Sequence, residues 1–491
     1  MRTRHAVHVA VWVCTALALA GACHRGNRPG APRVQLHSCR LEGVSNEAQC
    51  GTYEVYEDRA ARKWRTIALN IAVVKALAPS PEPDPLFILA GGPGQAATEL
   101  AKALFPIFER VNRYRDLVFV DQRGTGKSHP LKCDAPEVDG GVEMDDDALL
   151  PQVLNGCLDK YDADVRLYTT PIAMDDLDEV RGALGYDKIN LWGGSYGTRA
   201  GLVYMRQHPD RVRTATLDGV APVDMRLPLS MARDGQRALD LLFDACSKEA
   251  TCQKAFPDLR TRFASLLERL DAQPAKLVLP DPVTGHPEPI SISRKGFAGT
   301  LRGILYIPDA ASLIPLTISR AYDNDWSSFA AEASLLSGGM EKGLARGMFL
   351  SVICAEDAPL VRPEDVKPGT DGTFVGASIT ETMLKACGFW PRGKLPDGYH
   401  DPVKSDAPTL LLSGELDPVT PPFYAEAVAS HLTHHLHVIV PGVGHGATPQ
   451  GCVPRLINDF ISRGSAEGLD TSCVKSLERP PFFVTFAGST R

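Results

Sequence analysis

The chain has 491 residues, 44% of them hydrophobic, enough for one large domain with an elaboration or for two to three domains. Lys and Arg number 52 against 59 Asp and Glu, a formal charge of −7 with no long basic run, which argues against a nucleic-acid partner.

The first 22 residues read as an export signal: Arg2 and Arg4 open it, Ala6 to Ala20 is mostly apolar, and the small residues Ala20-Gly21-Ala22 close it. It is too short for a stable span, and no later run is long and apolar enough to cross a bilayer. The segment "LALAGAC" resembles a bacterial lipobox, so lipidation of Cys23 is expected. Ala20 stands where a large aliphatic residue is usual, and plain cleavage leaving a free thiol is the alternative. Residues 23–36, rich in Gly, Pro and Arg at their start, read as a flexible tether.

Strand-like runs follow at 65–76, 85–92, 116–124, 188–194, 213–220, 408–414 and 435–442. Several are continuously apolar, as in a sheet buried on both faces. Helix-like runs at 173–185 and 196–209 alternate with them, which implies a mainly parallel α/β sheet. The alternation breaks after Gly219. From 224 to 405 the pattern is mostly helical, with amphipathic runs at 233–246 and 259–272, and reads as a cap over the site. The expected organisation is a core over 37–223, a cap over 224–405 and a second core segment over 406–491.

Gly193-x-Ser195-x-Gly197 lies between a strand and a helix, the pattern of a sharp turn that lifts a nucleophilic serine above a sheet. A serine hydroxyl needs a base to take its proton. "LSGELDPVTPP" ends a strand with Asp417, the expected acid, and Glu415 as fallback; "VIVPGVGHG" ends the next with His445, the expected base. "AGGPG" follows an apolar strand, so the amides of Gly92 and Tyr196 are the expected oxyanion donors. "DQRGTGKS" lacks phosphate-loop spacing and reads as structural support.

The chain has 12 cysteines. Cys14 leaves with the signal, and beyond Cys23 an even set remains. In sequence order these pair as Cys39–Cys50, Cys133–Cys157, Cys246–Cys252, Cys354–Cys387 and Cys452–Cys473. Sequence alone does not prove that connectivity, although an even set in an exported chain favours disulfides. No zinc pattern is present. The histidines of "HLTHHLH" read as surface groups, and "EMDDD" (143–147) as a solvated acidic loop.

Together "GGPG", "VDQRGTGKS", "DDLDEVRGALG", "LWGGSYGT", "LDGVAP", "GELDPVTP" and "GVGHG" resemble the prolyl- and tripeptidyl-aminopeptidase family of serine α/β hydrolases, including its TAP-like C-terminal region. The resemblance implies an α/β-hydrolase core, a doubly wound mainly parallel sheet, with an inserted helical cap. It also implies release of short peptides from N-termini, with Ser195 as nucleophile, Asp417 as acid and His445 as base. Ala90 replaces a histidine usual before the glycines, and Tyr196 a tryptophan usual after the nucleophile, so proline specificity is left open.

An aminopeptidase must hold an ammonium, and "VICAEDAP" offers Glu356 or Asp357 for it. The expectation is an exported serine exopeptidase of the cell envelope or secreted medium, acting on short peptides without metal or organic cofactor. Its contact with membrane would be only through the N-terminal lipid, and its oligomeric state is open. A carboxylesterase on the same triad, or a non-catalytic envelope binding protein, are the alternatives.

Overall fold

The computed structural model describes residues 34–63, 65–132, 150–280, 284–339 and 343–488. The expected signal, Cys23, residues 23–33 of the tether, Cys133 and the "EMDDD" loop lie outside the described residues.

Strands β1 (His37–Cys39), β2 (Ala48–Tyr56), β3 (Thr66–Val74), β4 (Leu86–Leu89), β5 (Leu117–Val120), β6 (Ile189–Gly194) and β7 (Val212–Asp218) come first. Strands β8 (Ala275–Pro280), β9 (Pro287–Ile292), β10 (Thr409–Gly414) and β11 (His435–Val440) follow. Among the described residues they form a nine-stranded sheet in the order β1-β2-β3-β5-β4-β6-β7-β10-β11, with β8–β9 a separate hairpin. The pairs from β5 through β11 are parallel; β1, β2 and β3 add an antiparallel edge.

The sheet is covered on both faces. Phe87, Leu191 and Leu217 pack with Leu177, Val180 and Leu202 of the helices Thr170–Leu184 and Tyr196–Gln207. The alternate residues Leu86, Ile88 and Trp192 pack with Phe105, Phe108 and Phe460 of the helices Ala97–Asn112 and Val453–Arg463. Period-two alternation in strands with two apolar faces explains why the runs read as continuously hydrophobic.

Between β7 and β10 the chain builds its own core, where Phe243, Phe263, Phe297, Trp326, Phe329 and Phe374 cluster. This insertion is mostly helical but contains the β8–β9 hairpin, which the helical reading did not include. Strands β1 and β2 were also missed; the pair is short, partly exposed and joined by the disulfide Cys39–Cys50.

The disulfides Cys246–Cys252, Cys354–Cys387 and Cys452–Cys473 join their neighbours in sequence, as expected. Cys157 is disulfide-bonded too. His431, His434 and His435 are exposed, as expected, whereas His437 is half-buried and hydrogen bonds the buried Ser413 at 2.9 Å. Among the described residues no helix is long and apolar enough to cross a membrane.

Candidate active site

Ser195 follows β6 directly and caps the helix Tyr196–Gln207, with φ 55° and ψ −123°. A residue other than glycine in this conformation is strained. The flanking glycines are required by contact. A Cβ on Gly193 would sit 2.3 Å from the Gly197 carbonyl oxygen, and one on Gly197 would sit 2.2 Å from that of Leu89. Strand and helix therefore meet backbone to backbone, and the half-buried serine stands at the crest.

Asp417 and His445 lie in the loops after β10 and β11. His445 Nδ1 is 2.8 Å from Asp417 Oδ2. The other carboxylate oxygen accepts the amides of Val419 and Thr420, each at 2.8 Å, and Thr420 Oγ1 donates to Oδ2 at 2.9 Å. Asp417 is fully buried. Burial works to raise its pKa, yet the His445 charge and these hydrogen bonds hold it below the usual carboxylate value. Burial works to lower the His445 pKa, but the charge and hydrogen bond of Asp417, with Asp218, carry it above the ordinary histidine value. Glu415, the fallback acid, accepts the Gly442 amide at 2.9 Å instead.

Asp218 joins the two halves, and the sequence reading assigned it no role. Its backbone oxygen accepts the Ser195 amide at 2.9 Å, while its carboxylate accepts the amides of Ala447 at 2.8 Å and Thr448 at 2.7 Å. A Cβ on Gly219 would lie 3.1 Å from His445 Cε1, so the elbow strand's neighbour abuts the imidazole. The only hint was the quoted "LDGVAP". The Ser195 hydroxyl makes no hydrogen bond to His445 in this conformation, an arrangement common before substrate tightens a site.

The glycine loop lies against Ser195: a Cβ on Gly91 would be 3.3 Å from Ser195 Cβ. Gly92 has φ +106°, a conformation that favours glycine. Tyr196 is the first residue of its helix, so its amide has no intrahelical acceptor. The inserted segment reaches this loop, where the Ala345 amide donates to the Gly94 oxygen at 3.0 Å and Leu344 bridges Gln95.

Glu356 and Asp357 need a correction. Both are fully buried and bound by the protein itself. Asp357 takes Arg199 as a bidentate pair at 2.6 and 2.7 Å. Glu356 accepts the Thr170 amide at 2.7 Å, Thr170 Oγ1 at 2.9 Å and the Tyr399 hydroxyl. Burial pushes both carboxyls up and the Arg199 charge draws them back. In place of reading an ammonium, they clamp the insertion onto the helix behind Ser195, and Thr170 Oγ1 passes the contact to the Tyr196 hydroxyl at 2.7 Å. The "DQRGTGKS" segment is structural as expected. Buried Arg123 pairs with Asp176 at 2.6 and 2.9 Å, and Asp121 caps the helix Ala97–Asn112 through Thr98.

A doubly wound sheet with an elbow serine, and an acid–histidine pair in the loops after β10 and β11, is the arrangement of an α/β-hydrolase enzyme. The family description "alpha/beta hydrolase fold" matches residues 84–279, and "TAP-like protein" matches 372–473. The chain has the α/β-hydrolase fold, and its C-terminal part is similar to the TAP-like proteins. It is 26% identical to "Serine protease Hip1" of Mycobacterium tuberculosis over 90% of this chain and 91% of that one. It is 30% identical to "Tripeptidyl aminopeptidase" of Streptomyces lividans over 43% of this chain and 42% of that one. It is also 30% identical to "Proline iminopeptidase" of Neisseria gonorrhoeae over 29% and 34%. Its disulfides suit an oxidising compartment, where such bonds persist.

Proposed function

We propose that the chain is an exported serine exopeptidase that cleaves amide bonds near peptide N-termini through an acyl-enzyme. The observation that carries this reading is the Asp417–His445 pair, docked through Asp218 beside the strained Ser195 elbow. Peptide substrates are supported by the names of the relatives. Ser195 Oγ attacks the scissile carbonyl while His445 takes its proton, and the amides of Gly92 and Tyr196 hold the oxyanion. His445 then gives the proton to the leaving amine, and water releases the acyl group by the same steps in reverse. Losing one oxyanion donor raises such a barrier by about 2.7–4 kcal/mol.

Export uses residues 1–22 as signal, and Cys23 carries lipid that tethers the enzyme to the envelope through residues 23–36. Residues 224–405 cap the site, leaving 37–223 and 406–491 as the core.

The test is digestion of a mixed peptide library, with and without N-terminal acetylation, followed by sequencing of the new N-termini. Free peptides are cleaved near their N-termini and acetylated ones are not. Equal cleavage of both ends the exopeptidase reading, and ester turnover without peptide turnover makes the enzyme a carboxylesterase. Ser195→Ala abolishes turnover and fluorophosphonate labelling while the circular dichroism spectrum stays unchanged.

A further inference from the structure

Arg302, on the helix Arg294–Ile304 of the insertion, stands near the imidazole. Tyr306 links them: its oxygen accepts the His445 amide at 3.0 Å and its ring meets the imidazole edge-on at 5.2 Å. The Arg302 guanidinium lies over that ring, 5.7 Å from its centroid. The residue is only 7% exposed. Its partners are few and distant: Nε donates to the Met231 oxygen at 3.3 Å and Nη1 to the Tyr306 hydroxyl at 3.5 Å. Nη2 is buried with no partner. The nearby carboxylate, Asp234, feels the Arg302 charge but accepts its hydrogen bonds from the Tyr424 hydroxyl at 2.9 Å and Arg233 Nε at 3.3 Å.

A buried guanidinium left this incompletely bonded is costly to the protein alone and calls for an anion. Its position says which one. A histidine base hands its proton to the leaving amine, so the leaving group lies on the imidazole's side. Tyr306 is the insertion group against that imidazole, and Arg302 stands behind its ring. From amine to carboxylate, a leaving group of one or two residues spans about 3–7 Å. A planar guanidinium fork matches a carboxylate with two parallel donors.

We propose that Arg302 forms the leaving-side subsite and reads the free α-carboxylate of a short leaving peptide. The enzyme's preferred substrates are then short peptides with a free C-terminus. This rests on the serine-peptidase reading above.

The test uses libraries of tri- to pentapeptides with free or amidated C-termini, followed by mass spectrometry. The wild-type enzyme consumes the free acids about tenfold faster in kcat/KM, through KM, as a charge-assisted pair would produce. Arg302→Met brings the ratio to about one, and Arg302→Lys keeps part of it. A wild-type ratio of one, a ratio that persists in Arg302→Met, or equal slowing of both libraries in both variants overturns the proposal. If Arg302→Met does not fold, the wild-type ratio and Arg302→Lys decide it. Wild-type protein that labels with fluorophosphonate yet cleaves neither library overturns the peptidase reading itself, and this proposal with it.

Discussion

His445 lies between opposing influences. Burial and Arg302 favour its neutral form; Asp417 and Asp218 favour the charged one and prevail, so its pKa stands above 6.5. In the proposed reaction the neutral imidazole is the base, so activity falls as pH drops through that raised value. The acid limb of kcat/KM should therefore have its midpoint above 6.5, measured on any cleaved substrate. Asp417→Asn removes the charge that raises it. The limb moves to lower pH and kcat falls by about 10⁴, since the imidazole is also held in the wrong tautomer. A limb that stays in place would mean Asp417 is not the orienting acid. Asp417 keeps its own pKa low and remains ionised throughout this range.

At the scale of elements, the site depends on how two loops are tied to one strand. Asp218 accepts two amides of the histidine loop with two oxygens, and asparagine can accept only one of them without turning a donor toward the other. Asp218→Asn strands a buried amide at about 1–3 kcal/mol, read as a lower denaturation midpoint with reduced kcat. The insertion carries a separate liability. Glu332, on the helix Ser327–Gly339, is buried with one hydrogen bond, from Thr317 Oγ1 at 2.7 Å, and Oε2 has no partner. Burial pushes its pKa up to about 7 from 4.5. Its charged form is disfavoured in the folded state, so stability is intact below 4.5 and declines until pH passes about 7. Glu332→Gln should raise the melting temperature at pH 8 and change it little at pH 4; an equal gain at both would refute the titration.

For the whole molecule, the insertion and the core are joined through the π-helical turn Ile353–Asp357, where Glu356 meets Thr170 and Asp357 meets Arg199. The disulfide Cys354–Cys387 staples that turn. Replacing both cysteines by serine removes a crosslink spanning 33 residues, worth about 3–4 kcal/mol in the chain-entropy account. The expected result is a lower melting temperature, with activity lost before the sheet unfolds. Coincident loss of activity and far-ultraviolet ellipticity would show that the turn has no separate role.

Much of this was legible along the chain. Several of the parallel strands are continuously apolar, and an elbow needs glycines at fixed offsets, so both leave local marks. The elbow at Ser195 and the loops that carry Asp417 and His445 could thus be read from spacing. Neighbouring cysteines could be matched in order, and four of those pairs are present among the described residues. Strands β1 and β2 escaped because, at and next to the sheet's edge, they are half exposed and lack that unbroken pattern. Glu356 and Asp357 look alike in sequence to carboxylates waiting for an ammonium. Only the fold brings Arg199, Thr170 and Tyr399 to them. The same holds for Asp218, whose work is done 229 residues away at Ala447. Backbone geometry and hydrophobic period are local properties that the sequence determined by itself. Whether a buried charge meets a partner, a base or a substrate depends on contacts between distant segments, and only the tertiary structure decided it.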